Sequence, residues 1–311
     1  MTSIFNTLPI ITPVIMVIIA GTLSNKYNLI KEQGIDGMRT FITSIALPAA
    51  LFKAIGTIKM SSDVIISITV ISSSILLIMI IGFLLVKIFP KLNPMTPFLV
   101  TSFEAGMLGY PLFILLFGID KLSSIAIFAV GNDLFVFTIY TALLKKKEGN
   151  VNLKTMLQGM FSSPVFVAIV LGLIFSSTNI YYSFEDTIVI KTLFSVLEFF
   201  SQAIACIMLF VIGYGISFSK NNIKQVIIIS LIRLVLMGIM AFIVLNFLES
   251  LMALDKYMRV AIILLFFTPA PYILPIFSKD KNNRAFTSTV LSVNLITSMI
   301  AFAIIVYRIS I

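Results

Sequence analysis

The chain has no histidine, no tryptophan and a single cysteine among its 311 residues. Without histidine it lacks the side chain that most often serves as general base and metal ligand near neutral pH, so no metal site is expected. Cys206 lies alone in an apolar run, which excludes a disulfide framework. Charge is scarce too: Asp, Glu, Lys and Arg make up 11% of the sequence, against 59% hydrophobic residues and a mean hydropathy of +1.11. A water-soluble domain is about one quarter charged, and a chain this poor in charge cannot cover its own surface with polar groups. Lipid is the solvent that such a composition requires. There is also no Lys or Arg ahead of the first apolar run, Leu8–Leu23, and no small-residue cleavage site after it. That pattern marks a first transmembrane helix rather than a removable leader.

The net charge of +9 would point to nucleic acid in a soluble protein. Here the basic residues sit in short breaks between apolar runs, where they orient helices in a bilayer, so nucleic acid is not an expected partner. A spanning helix needs roughly 20 mostly apolar residues. That ruler finds ten segments, at 7–24, 36–56, 63–88, 95–118, 122–144, 159–178, 189–217, 223–248, 257–278 and 284–308. The fold class is therefore an all-α polytopic membrane protein. The longest polar connection, Lys145–Lys154 (KKKEGNVNLK), lies mid-chain. It divides the sequence into a first five-helix unit, 1–146, a cytoplasmic linker, 147–155, and a second unit, 156–311.

Connections after the odd-numbered segments carry fourteen Lys and Arg, those on the other side seven, and Arg233 lies within segment 8. The bias places both termini outside the cytoplasm, in a multi-pass protein of the cell membrane.

The two units repeat. Pro13 and Gly21 stand eight apart in TPVIMVIIAG, as do Pro164 and Gly172 in SPVFVAIVLG. Pro111 to Lys121 reads PLFILLFGIDK and Pro271 to Lys281 reads PYILPIFSKDK, with Pro, Asp and Lys in register. Five helices is an odd number, so the second unit enters the membrane inverted. Inverted repeats are a transporter signature, with the solute site near mid-membrane where the repeats meet.

Segment 4 contains Glu104-Ala-Gly-Met-Leu-Gly-Tyr-Pro111 and segment 9 contains Thr268-Pro-Ala-Pro-Tyr-Ile-Leu-Pro275. Proline removes a donor and glycine eases non-helical backbone, so both helices should break and cross at their middles. The expected substrate-binding residues are Glu104, Gly106, Gly109, Tyr110 and Pro111, with Thr268, Pro269, Pro271 and Tyr272. Helix starts near Pro111 and Pro271 would present free N–H groups to an anion.

The segment Glu104–Pro111 resembles the Asn-x-Gly-x-x-Gly-x-Pro motif in the fourth helix of the auxin efflux carrier family. Leu47-Pro48-Ala49-Ala50-Leu51, the proline-rich ninth segment and the run Phe286–Ser298 add to the likeness. The resemblance implies a ten-helix transporter of organic anions, auxin-like acids or dicarboxylates such as malate or malonate, with a fold similar to that of bile-acid/sodium symporters. Where the motif has Asn, this chain has Glu104.

Charge inside a bilayer costs roughly 2.5–3.5 kcal/mol per residue at a helix centre, so each buried charge needs a role. Glu104, at the break, and Asp133, beside Asn132 in segment 5, are candidates to carry a proton or to bind Na⁺. Asn294 stands opposite Asp133 in the repeat. Arg233 can neutralise either acid, clamp a carboxylate or snorkel to the headgroups. Lys53 and Glu198, near segment ends, are expected to snorkel.

The expected function is secondary transport of a small organic anion coupled to H⁺ or Na⁺, with no other cofactor. The expected partners are the solute and the bilayer, and a homodimer is left open. A Na⁺-coupled relative of the bile-acid symporters and a channel are the alternatives. An enzyme is not expected: the chain has neither a Gly-x-Ser-x-Gly motif nor an Asp-rich cluster.

Overall fold

A computed structural model describes residues 2–147, 161–216, 222–277 and 281–309. The expected linker lies outside the described residues from position 148 onward, as do Lys220, Lys279 and Asp280. Every regular element among the described residues is helical. Among the described residues, seven helical segments are long and apolar enough to cross a membrane, the interrupted Thr96–Phe117 being one of them, and the chain is a polytopic membrane protein.

The helices are α1 (Thr2–Lys26), α2 (Glu32–Gly56) and α3 (Ser62–Ile88). Next come α4 (Thr96–Val100), α5 (Tyr110–Phe117) and α6 (Ile119–Lys147). After these follow α7 (Pro164–Ser177), α8 (Ile188–Tyr214) and α9 (Ile223–Leu251). The last are α10 (Lys256–Phe267), α11 (Ile273–Phe277) and α12 (Lys281–Ile309). Their surfaces are inside-out by the standards of a soluble protein, with Ile188 80% and Phe242 69% exposed. Side chains of this kind face outward only where the surrounding solvent is as apolar as they are.

Glycines set the closest helix contacts. A Cβ on Gly21 of α1 would run into the Phe210 carbonyl of α8, and one on Gly213 would run into the Ile18 carbonyl. The Thr22 hydroxyl donates to the Gly213 carbonyl at 2.9 Å across the same contact. On α7, a Cβ at Gly172 would sit 3.1 Å from Ile55 of α2, and the Ser176 hydroxyl donates to the Ile58 carbonyl. Small residues let backbones approach where no hydrophobic effect drives helices together.

Among the described residues, three π-helical turns interrupt the helices, Ile42–Ala46 inside α2, Ala105–Gly109 ahead of α5 and Val136–Tyr140 inside α6, and a turn at Gln202 and Ala203 divides α8 into Ile188–Ser201 and Ile204–Tyr214.

Candidate functional site

The backbone leaves the helix at Thr101, three residues ahead of Glu104, so the break begins earlier than the glycines and Pro111 suggest. Thr101 is extended (φ −102°, ψ 154°), and Ser102 takes a left-handed φ of 64°, a conformation that costs a serine about 1–3 kcal/mol. From Ala105 the chain coils again, first as the π turn with Gly109 N–H donating to the Glu104 carbonyl at 3.0 Å. Pro111 follows at the start of α5, where its missing N–H costs nothing. The second break runs from Thr268 to Tyr272, between α10 and α11. Pro269 and Pro271 reduce the number of backbone donors that this break must satisfy.

The two breaks touch. Glu104 N–H donates to the Pro269 carbonyl at 2.8 Å. One carboxylate oxygen of Glu104 accepts from Met107 N–H at 3.0 Å, and the other accepts from Tyr272 N–H at 2.8 Å. Glu104 thus caps the start of the π turn and the approach to α11 at once. The N–H groups expected to receive a solute anion are taken by the protein's own.

Asn132 on α6 serves the first break as a neighbouring peptide would. Its amide oxygen accepts from the Ser102 hydroxyl at 2.6 Å and from Phe103 N–H at 3.2 Å, while its NH₂ donates to the Phe103 carbonyl at 3.1 Å.

Arg233 does not snorkel. It is 4% exposed, and its guanidinium pairs with neither acid. One Nη donates to the carbonyls of Leu99 at 3.2 Å and Thr101 at 3.5 Å. The other donates to those of Ser102 and Thr268, each at 2.7 Å. An unpaired backbone carbonyl in a dry interior costs free energy comparable to a lost hydrogen bond. Glu104, Asn132 and Arg233 between them supply partners for backbone groups of both breaks. Lys53 and Glu198 do not snorkel separately either: they form an ion pair at 2.9 Å between α2 and α8.

A cavity of about 480 Å³ opens beside the crossing. Of the expected residues, Glu104, Gly106, Tyr110, Asn132, Asp133, Pro271 and Tyr272 line it. Gly109 packs against Leu265, with room for no more than a hydrogen at its Cα before the contact tightens to 3.0 Å. Pro111, Thr268 and Pro269 do not line the cavity. Asn294 faces a separate water-sized void with Arg233, Ser230 and Thr297, where its NH₂ lacks a hydrogen-bond partner among the described residues.

The three π turns all reach the cavity, through Thr43, through Ala105, Gly106 and Met107, and through Val136 and Phe137. π-Helical bulges are frequent at functional sites. Sequence reading missed Thr43, Phe137, and Ser288 and Ser292 of α12, which also line it. The i, i+4 spacing of the two serines was the available signal; nothing in the sequence marks Thr43 or Phe137.

The lining offers hydrogen bonds and charge in a largely apolar wall. The buried hydroxyls of Tyr110 and Tyr272 have no partner among the described residues. Asp133 accepts from the Asn132 NH₂ at 3.2 Å. Arg39 lines the cavity as well, 2.7 Å from Asp36 of its own helix. Among the described residues no group of His, Cys, Asp and Glu is arranged to hold a metal.

No protein-family model matches the chain, and no curated protein matches it.

Proposed function

We propose that this protein is a secondary transporter that moves a small organic solute through the cavity by alternating access around the crossed breaks. The carrying observation is the meeting of two interrupted membrane helices at Glu104, beside a cavity of about 480 Å³. Interrupted helices that line a wet cavity at mid-membrane are how transporters build solute sites.

Support for ten spans in two inverted units comes from adding the shorter apolar stretches Ile11–Lys26 of α1 and Pro164–Ser177 (α7), and the interrupted α10–α11, to the seven long segments. The packing supports it too. α1 lies on α8 through Gly21, and α7 lies on α2 through Gly172, the glycines that the sequence repeat pairs.

With the charge bias as orientation, Arg39, Ser288 and Ile216 are cytoplasmic-side residues lining the cavity, which supports an inward-open state. The resemblance to the auxin efflux carrier family makes a small carboxylic acid the first candidate solute. Arg39 in the lining is paired with Asp36, so an anion entering beside Glu104 and Asp133 meets two like charges, and it enters with a proton to neutralise one of them. H⁺ symport follows, with Asp133 as the proton carrier, because both oxygens of Glu104 are engaged by backbone.

One observation favours a second solute class. Phe103, Tyr110, Phe137 and Tyr272 line the cavity together with the two acids, and aromatic faces in a site that holds carboxylates also suit an organic ammonium.

Uptake by the purified protein in liposomes separates these readings. A labelled carboxylate such as malate should accumulate under an imposed proton gradient, and Asp133→Asn should abolish the drive without abolishing exchange. Accumulation of alkylammonium compounds alone would establish the second class. If no carboxylate, ammonium or neutral solute crosses at all, the transporter reading fails.

A further inference from the structure

The two ends of a broken helix pair have opposite electrical demands. Helix starts expose N–H groups and attract anions, while helix ends expose carbonyls and attract cations. In transporters of this architecture, unwound carbonyls and half-helix C-terminal ends are where a coupling Na⁺ is held.

In this chain those carbonyls are already occupied. α4 ends at Val100 and α10 ends at Phe267, and the carbonyls that follow or close them, from Leu99, Thr101, Ser102 and Thr268, converge on one guanidinium. Arg233 comes from a third helix, α9, and no carboxylate lies within ion-pair distance of it among the described residues. A buried cation without an anionic partner is costly and is retained here only by the carbonyls that surround it.

We propose that Arg233 is the resident cation of the crossing, standing in the coordination that a coupling Na⁺ would take, and that transport by this protein is therefore independent of Na⁺. Glu104 is its counterpart at the helix starts, so the crossing carries a tethered ion of each sign. A tethered cation cannot dissociate in the transport cycle. It holds the two breaks together in both states and leaves the driving ion to the cavity. Arg233 acts here as a positioning residue, through the backbones of both breaks.

This inference rests on the transporter reading, and its test has a readout that does not require transport. The thermal unfolding midpoint of the full chain in detergent is measured in NaCl, KCl and CsCl at equal ionic strength. The midpoint of the unsubstituted protein should be the same in all three. Arg233→Ala should unfold at a lower temperature, and Na⁺, unlike Cs⁺, should restore part of the loss by entering the vacated carbonyls. Arg233→Lys keeps the charge without the planar fork, so it should fall between the two and ignore Na⁺. It also serves if the alanine variant does not fold. In liposomes, replacing Na⁺ with Cs⁺ should leave the initial uptake rate unchanged.

Stabilisation of the unsubstituted protein by Na⁺, or loss of its uptake without Na⁺, overturns the proposal. So does an Arg233→Ala protein that folds but gains nothing from Na⁺. Absence of any uptake, with Na⁺-insensitive unfolding intact, would instead count against the transporter reading.

Discussion

Replacing Glu104 with glutamine changes one atom in a way that the geometry makes consequential. Each carboxylate oxygen accepts one backbone N–H, from Met107 at 3.0 Å and from Tyr272 at 2.8 Å. Glutamine has one oxygen, and its NH₂ can only donate, so one backbone donor must face another whichever way the amide turns. A hydrogen bond to a charged group contributes about 1.5–3 kcal/mol, and the surviving bond drops to neutral strength, roughly half as strong. The total expected loss is about 2–4 kcal/mol. Denaturant titration in mixed micelles measures it, and hydrogen exchange localises it, because the Tyr272 or the Met107 amide should exchange faster. Asp133→Asn is the internal control. Asp133 accepts only a 3.2 Å bond from its own neighbour, so this near-isosteric change should cost less than about 1 kcal/mol. If Glu104→Gln is as stable as the control and both amides stay protected, the carboxylate does not tie the breaks together, and the reasoning fails.

Asn132→Ala should destabilise by about 3 kcal/mol or more, because it orphans the Ser102 hydroxyl and both backbone groups of Phe103 in a buried site; thermal unfolding in detergent reads this. Gly213→Ala should cost about 1–3 kcal/mol by forcing α1 away from α8 at the Ile18 carbonyl. Gly37→Ala, which meets nothing within 4 Å, should be neutral or slightly stabilising in the same assay. A double-mutant cycle on Lys53 and Glu198 should return a coupling below about 1 kcal/mol that fades with salt, since their side chains are 22% and 40% exposed.

The membrane class and the two interrupted helices were legible because they are local. Apolar runs of spanning length and mid-run prolines are visible in any window of twenty residues. The start of the first break was not legible, because what unwinds Thr101–Glu104 is not the composition of that stretch. It is Asn132, about thirty residues on, and Arg233, more than a hundred further, that supply the backbone's partners. The same distance hid the role of Arg233. Read along α9 it is a lone charge in an apolar helix, for which the headgroups are the nearest partner in sequence terms. Asn132 was noticed for its polarity, but its use as a peptide surrogate depends on which backbone it meets. Glu104 shows the reverse error. Its position at the break was plain, and that its carboxylate takes the N–H groups reserved for a solute follows only from the second break's approach.

The π turns have a mechanical consequence. Each winds one residue more into a turn than an α-helix does, and so holds a surplus residue as slack. Shifting such a turn along its helix by a few residues carries the intervening side chains around the axis by about 100° and along it by about 1.5 Å, at the cost of exchanging a handful of backbone bonds. Among the described residues, all three lie before Lys147 and all three open onto the cavity. One wall of the cavity is therefore built to be re-indexed, while α12, which also lines it, runs as unbroken α-helix from Lys281 to Ile309.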